Sequence, residues 1–162
     1  MTTASRYSLL QIGLHWLVAV LFALNYVVSD GMGEALRSKL AGGTPDGLVA
    51  TLHPPVGIAV LVLSLLRLLV RWRLGAPASP EGGHRLLDLA AHWGHRALYV
   101  GLILIPATGI LAWGVGIAAA GEAHEIVVNL TLALVIGHAA AALFHQFVLK
   151  DGVIDRMRPM SR

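Results

Sequence analysis

Imidazole is the strongest metal ligand this chain has to offer: it holds eight histidines and no cysteine in 162 residues. With no thiolate present, a transition metal or a haem iron would take its protein bonds from ring nitrogen. Six of the eight, His15, His53, His92, His95, His138 and His145, lie within or at the ends of long apolar stretches. An ionisable group in such a place loses hydration and gains little from lipid, so it is a functional-site candidate by default. The missing cysteines exclude disulfides, thiolate-bound zinc, iron–sulfur clusters and a haem attached through Cys-x-x-Cys-His.

The elements that position these histidines have to be membrane helices. Hydrophobic residues make up 56% of the chain and charged residues 13%, against about 25% charged in a soluble domain; the mean hydropathy is +0.71. This length accommodates about four spans of roughly 20 residues with their connections. The apolar runs place them at about 8–29, 51–70, 86–117 and 122–149. The expected fold is a single all-α domain over 1–162, an antiparallel four-helix membrane bundle. The opening MTTASRYSLLQIGLHW runs into the first span with no small-residue cleavage site behind a short core, so it reads as membrane helix, not as a cleaved signal. SDGMGEALRSKLAGGTPDGLVA and LGAPASPEGGH read as polar, Gly- and Pro-rich connections. Pro106 with Gly109 predicts a kink in the third span.

Lysine and arginine divide unevenly between the two faces. Arg6, Arg67, Arg71, Arg73, Arg85, Arg96, Lys150, Arg156, Arg158 and Arg162 fall on the side of the termini, and only Arg37 and Lys39 on the other. By the positive-inside rule both termini are expected in the cytoplasm of a multi-pass bacterial inner-membrane protein, with the 30–50 connection and the 114–121 turn outside. In a chain without a soluble basic face this excess sets orientation and is not a nucleic-acid footprint.

Orientation converts position into depth at about 1.5 Å per residue. His15 falls two turns inside the cytoplasmic face and His53 at the outer edge. His92 and His95 open the third span on the cytoplasmic side, His124 starts the fourth at the outer edge, His138 lies past the midplane and His145 nears the cytoplasm. The depths match His53 with His124 and His15 with His138, an arrangement that two bis-histidine haems would fit. His124 and His138, fourteen positions apart, return to within about 40° of one helix face and stand roughly 21 Å apart along the axis. Gly13, Gly57, Gly109, Gly137 and the alanines at 139–142 admit a close macrocycle, or equally a neighbouring helix.

Other readings stay open for several histidines. His124, beside Glu122 and Glu125, also reads as an interfacial residue, and His53, before Pro54 and Pro55, as a helix-start residue. His95 shares the depth of His15 and competes with it as a ligand. His92 reads as an interfacial cap and His84 as a solvated loop residue. His145 suits a haem propionate or a quinone as well as it suits the interface.

Four segments carry a family pattern: YSLLQIGLHW around His15; LHPPVGIAVLVLSLLRLLVRW from His53; LAAHWGHRALYVGLILIPATG around His92 and His95; and AHEIVVNL with GHAAAALFHQFVLKD, holding His124, His138 and His145. Together they resemble the bacterial di-haem cytochrome b561 proteins across essentially the full chain, most closely the superoxide oxidase branch. That resemblance implies a four-helix bundle with two b-type haems, bound through iron by His15 with His138 on the cytoplasmic side and His53 with His124 on the outer side. It also implies electron passage from superoxide outside to ubiquinone in the membrane. One departure stands out. The branch carries a long outer connection between spans three and four, whereas LAWGVGIAAAGEAHE leaves a short turn. The outer side is also acidic, with Asp30, Glu34, Asp46, Glu122 and Glu125 against Arg37 and Lys39, while an anionic substrate prefers a positive funnel.

The leading expectation is therefore a superoxide:quinone oxidoreductase, with His145, His95, Trp16 and Arg67 as cytoplasmic-side quinone neighbours. Bis-histidine ligation fills both axial positions, which suits electron transfer over oxygen binding. The alternative is a cytochrome b membrane anchor that relays electrons between a periplasmic dehydrogenase or hydrogenase partner and quinone. A histidine-lined metal transporter would need carboxylates inside the spans, and Asp and Glu occur only in loops and span ends. Lipid and quinone are the expected partners and nucleic acid is not; the pattern leaves oligomeric state open.

Overall fold

The computed structural model describes residues 6–77 and 85–158. His84 and Pro80 of the expected loop, and Arg162 of the basic tail, lie outside the described residues. Five α-helices follow one another: α1 Leu9–Val27, α2 Met32–Leu40, α3 Leu48–Leu74, α4 Arg85–Ile110 and α5 Ala118–Phe144. Among the described residues, four helices are long and apolar enough to cross a bilayer: α1, α3, α4 with its π-helical continuation to Val115, and α5 with its own to Leu149. In lipid every backbone polar group must be satisfied internally, and a helix does this within one segment.

Local signals in the sequence explain where these helices start and how they dock. Ser8 and Gln11 form a capping box: the Ser8 hydroxyl accepts from the Gln11 amide at 3.3 Å and the Gln11 side chain accepts from the Ser8 amide at 3.0 Å. Two of the amides orphaned at a helix start are thereby paired. The Gln11 amide group also donates to the Gly75 carbonyl at 2.9 Å, which ties the start of α1 to the end of α3. At the other end of the same pair, Asn25 donates to the His53 carbonyl at 3.4 Å. The bundle continues with α3 on α4 and α4 on α5. The Tyr7 amide donates to the Arg156 carbonyl at 3.3 Å, so both ends of the described chain lie on one face, here called the terminal face.

Three local features differ from the sequence expectation. The 30–50 connection is not wholly irregular: it contains α2, whose Leu36 and Leu40 reach Gly121 and Gly116 across the far end of the bundle. The EALRSKL run within the polar connection spaces those leucines by one helical turn. α3 runs from Leu48 to Leu74 instead of 51–70, so Pro54 and Pro55 fall three residues deeper from its start than expected. Finally, α4 stays α-helical through Pro106 and Gly109 and departs one turn later, in a π-helical stretch Leu111–Val115 closed by Gly116 at φ 86°. The expected 114–121 turn shrinks accordingly, because Ala118, Ala119 and Ala120 are strong helix formers and start α5 early.

The core is thin and central. Val18 and Phe22 of α1 meet Val60 of α3 and Leu102 of α4, with Leu21, Leu63, Ile105, Leu132 and Val135 against them. Closest of all is the crossing of α4 and α5, where fully buried Thr131 sits over Gly101. This apolar plug separates two levels at which histidines face one another.

Candidate functional site

On the terminal side of the plug, the structure brings His15 of α1 and His138 of α5 together with ring centroids 6.3 Å apart. His95 of α4 joins them, 5.1 Å from His138. On the far side His53 of α3 faces His124 of α5 at 6.1 Å. All five are half-buried. The two levels follow from the fourteen-residue spacing on α5, which repeats helical phase while moving along the axis by about 21 Å.

The histidines differ in how their second nitrogen is held. His124 Nδ1 lies 2.7 Å from the Ile105 carbonyl and 3.3 Å from the Thr108 hydroxyl, and that hydroxyl itself donates to the Leu104 and Ile105 carbonyls. Donation from Nδ1 to a carbonyl fixes the tautomer and leaves Nε2 as the ligand nitrogen, the usual support for a metal-binding imidazole. His95 Nδ1 contacts the Ala91 carbonyl at 2.6 Å in the same manner. By contrast His15 Nδ1 and His53 Nδ1 are buried without a partner. Sequence reading missed Thr108 and the Ile105 carbonyl, since a backbone acceptor has no side-chain signature; Pro106 beside it was the nearest available signal.

The remaining candidates disperse. Trp16 packs edge-on against His15 at 5.4 Å, yet is 56% exposed toward the bilayer. His92 is exposed and its ring meets that of Trp93 at 5.8 Å. Arg67 is half-buried with its guanidinium 5.1 Å over the Tyr99 ring. His145 lies in the π-helical stretch His145–Leu149, where it bonds Asp151 Oδ2 at 2.5 Å. α5 is α-helical as far as Phe144 and the π turn only begins at His145, so the seven-residue spacing keeps His145 near the phase of His138, two turns closer to the terminal face. On the far face Lys39 stands 4.3 Å over the Trp113 ring.

A Cβ built on Gly13, Gly94 or Gly137 would meet no heavy atom within 4 Å; Gly13 and Gly137 are exposed, and Gly13, two residues from His15, points to a different side of α1. Among the described residues no group of three or more His, Asp or Glu is placed to hold a bare metal ion. Imidazoles in facing pairs at two depths of a four-helix membrane bundle define a class of protein, the membrane cytochromes that bind their haems between helices.

The comparisons with known proteins give the family. The chain belongs to the prokaryotic cytochrome b561 family, which matches residues 6–160, and is a membrane b-type electron-transfer protein. It is 41% identical over 157 residues to cytochrome b562 of Cereibacter sphaeroides, covering 97% of this chain and 98% of that one. It is 31% identical over 178 residues to the probable superoxide oxidase CybB of Yersinia pestis, covering 97% and 98%. To cytochrome b561 homolog 1 of Escherichia coli it is 28% identical over 181 residues, covering 96% and 98%.

The residues present fit a haem. Two imidazoles bound to one metal at about 2.0 Å each, the ordinary metal–imidazole distance, put their centroids about 6 Å apart, and both pairs have that separation. At the far pair, the Ile105 carbonyl behind His124 Nδ1 leaves Nε2 for the same group.

Proposed function

We propose that this chain is a transmembrane electron carrier with two b haems, one between His15 and His138 and one between His53 and His124. It takes electrons from a small donor at the far face, superoxide foremost, and delivers them to ubiquinone near the terminal face, with both termini in the bacterial cytoplasm. The observation that carries this reading is the pair of imidazole couples at 6.3 and 6.1 Å on opposite sides of one apolar plug. When bound, the haems supply one-electron exchange; the protein supplies orientation, ligand field and burial. The Ile105 carbonyl orients His124, the Asn25 amide pins the backbone at His53, and the Val18–Phe22–Val60–Leu102 plug keeps water out of the path between levels.

Superoxide as donor rests on the 31% likeness to the probable superoxide oxidase, together with Arg37 and Lys39 of α2 as the cations of the far face. That alignment spans 178 positions, more than this chain's 162 residues, so it requires gaps here. The likeness to cytochrome b562, over 157 positions, does not exceed the chain. The second reading, an anchor relaying electrons from a periplasmic dehydrogenase or hydrogenase partner, is favoured by the two-residue connection Gly116–Ile117 between the π stretch and α5, which leaves α2 and this short turn as the far surface for a partner.

Optical titration of the purified protein is the test. Two b haems per chain after dithionite reduction are expected, and their absence ends the di-haem reading. Rapid reduction by superoxide without any partner chain supports the oxidase; no reduction transfers the case to the anchor.

A further inference from the structure

Arg67 is a cation to which the described residues offer no paired anion. It stands seven residues, about 10 Å, before the end of α3, half-buried, over Tyr99 and within electrostatic range of Tyr7, His15, His95 and His138. Arg71, one turn further toward the terminal face, is also half-buried and within range of Arg67 and His95. Among the described residues neither has a carboxylate at ion-pair distance. Around them α1 contributes His15, α4 contributes Tyr99 and His95, and α5 contributes His138. Two acids that follow α5 are paired with other groups: Asp151 with His145 at 2.5 Å and Asp155 with Arg158 at 3.2 Å. A guanidinium inside a span pairs with an anion or lines a functional site, and its planar fork matches a carboxylate.

We infer that Arg67 and Arg71 seat the two propionate carboxylates of the haem on the terminal side, an assignment that rests on the di-haem reading above. Arg67 is then a positioning residue for that haem instead of the quinone neighbour the sequence suggested. Two observations converge on this, beside the placement of Arg67 within range of His15, His95 and His138. Two cations one turn apart on one helix correspond to two carboxylates on one edge. His145, the other candidate for a propionate contact, is already bonded to Asp151. The far pair differs in kind, its neighbours being the neutral groups of Asn25, Thr108 and the Ile105 carbonyl. A fixed cation beside a haem favours the form that has gained the electron, since local charge is one of the levers on haem potential.

Redox titration of the purified holoprotein tests this with Arg67→Gln, Arg67→Lys and Arg71→Gln. In R67Q and R71Q one haem should become harder to reduce by at least about tenfold, ~59 mV for one electron, while the other holds its potential. R67K, which keeps the charge, should recover most of the shift. Resonance Raman bands of the propionate groups should change with the same haem. Two unmoved potentials in R67Q and R71Q with haem content intact would overturn the inference; if quinone reduction alone then fell, the arginines would belong to quinone. If R67Q sheds one haem, retention in R67K together with a shifted potential in R71Q supports the seat. Loss in both Arg67 variants with an unshifted R71Q overturns it. A wild-type protein without b haem would instead overturn the di-haem reading itself.

Discussion

A histidine in a membrane bundle is defined by what its second nitrogen touches. His124 is held by a backbone carbonyl at 2.7 Å, which fixes the tautomer that a ligand needs. A Cβ built on Gly109 would approach His124 Cε1 to 3.2 Å and Nδ1 to 3.3 Å, close enough that the ring must yield by a few tenths of an ångström. Gly109→Ala should therefore shift the potential and absorption band of one haem and leave the other in place, as read by optical redox titration. Replacement of His138 by alanine should reduce haem content from two per chain to one, measured by pyridine haemochrome assay. Replacement of exposed His92 should leave both. Loss of a haem from the His92 variant and not from the His138 variant would reverse the ligand assignment.

Helices hold these residues in place through a few close contacts instead of a broad core. At the α4–α5 crossing a side chain on Gly101 would collide with buried Thr131. Gly101→Val overpacks that crossing, at a cost of about 1–3 kcal/mol, and should lower the temperature at which haem is lost on heating. The chain after α5 is a strap: Lys150 turns at φ 53°, Asp151 bonds His145, the helix Ile154–Met157 follows, and the Arg156 carbonyl receives the Tyr7 amide. Burial alone would raise the Asp151 carboxyl, but hydrogen bonds from His145 and from the Val153 amide outweigh it and hold the group below the usual carboxylate range. Because the folded value is the lower, the strap is fully stabilised above the unfolded value of about 3.9 and loses that support as pH falls through the folded one. Hydrogen exchange over 150–158 should accelerate in that acid window, and Asp151→Asn should abolish the dependence. An unchanged pH profile in the variant would show that the strap is held by other contacts.

At the scale of the whole molecule the decisive property is polarity. Arginines crowd the terminal face, and Arg73 and Arg96 there lie over Trp72 and Trp93 at 5.2 and 5.1 Å, the placement expected where cations and aromatics meet a membrane surface. Fluorescent-protein fusions at either end should therefore mature in the cytoplasm, whereas alkaline phosphatase inserted at Gly116–Ile117 should be active outside; the reverse pattern would invert the direction of electron flow inferred above. Hydropathy alone identified the four crossings, because an apolar run of this length has one stable state in lipid, and equal depth alone suggested which histidines could meet. The sequence also held the spacing of His124 and His138. It did not reveal α2, because a short helix in a polar connection depends on Leu36 and Leu40 finding glycines far along the chain. Nor did it reveal the carbonyl behind His124 or the ring of Tyr99 under Arg67, because each depends on which groups distant helices bring within a few ångströms; the Asp151 partner of His145 depends on the turn of the chain at Lys150. Residue type and period were sufficient for spans and depths; only tertiary packing decided which ring nitrogen is held by a carbonyl and which charge is paired.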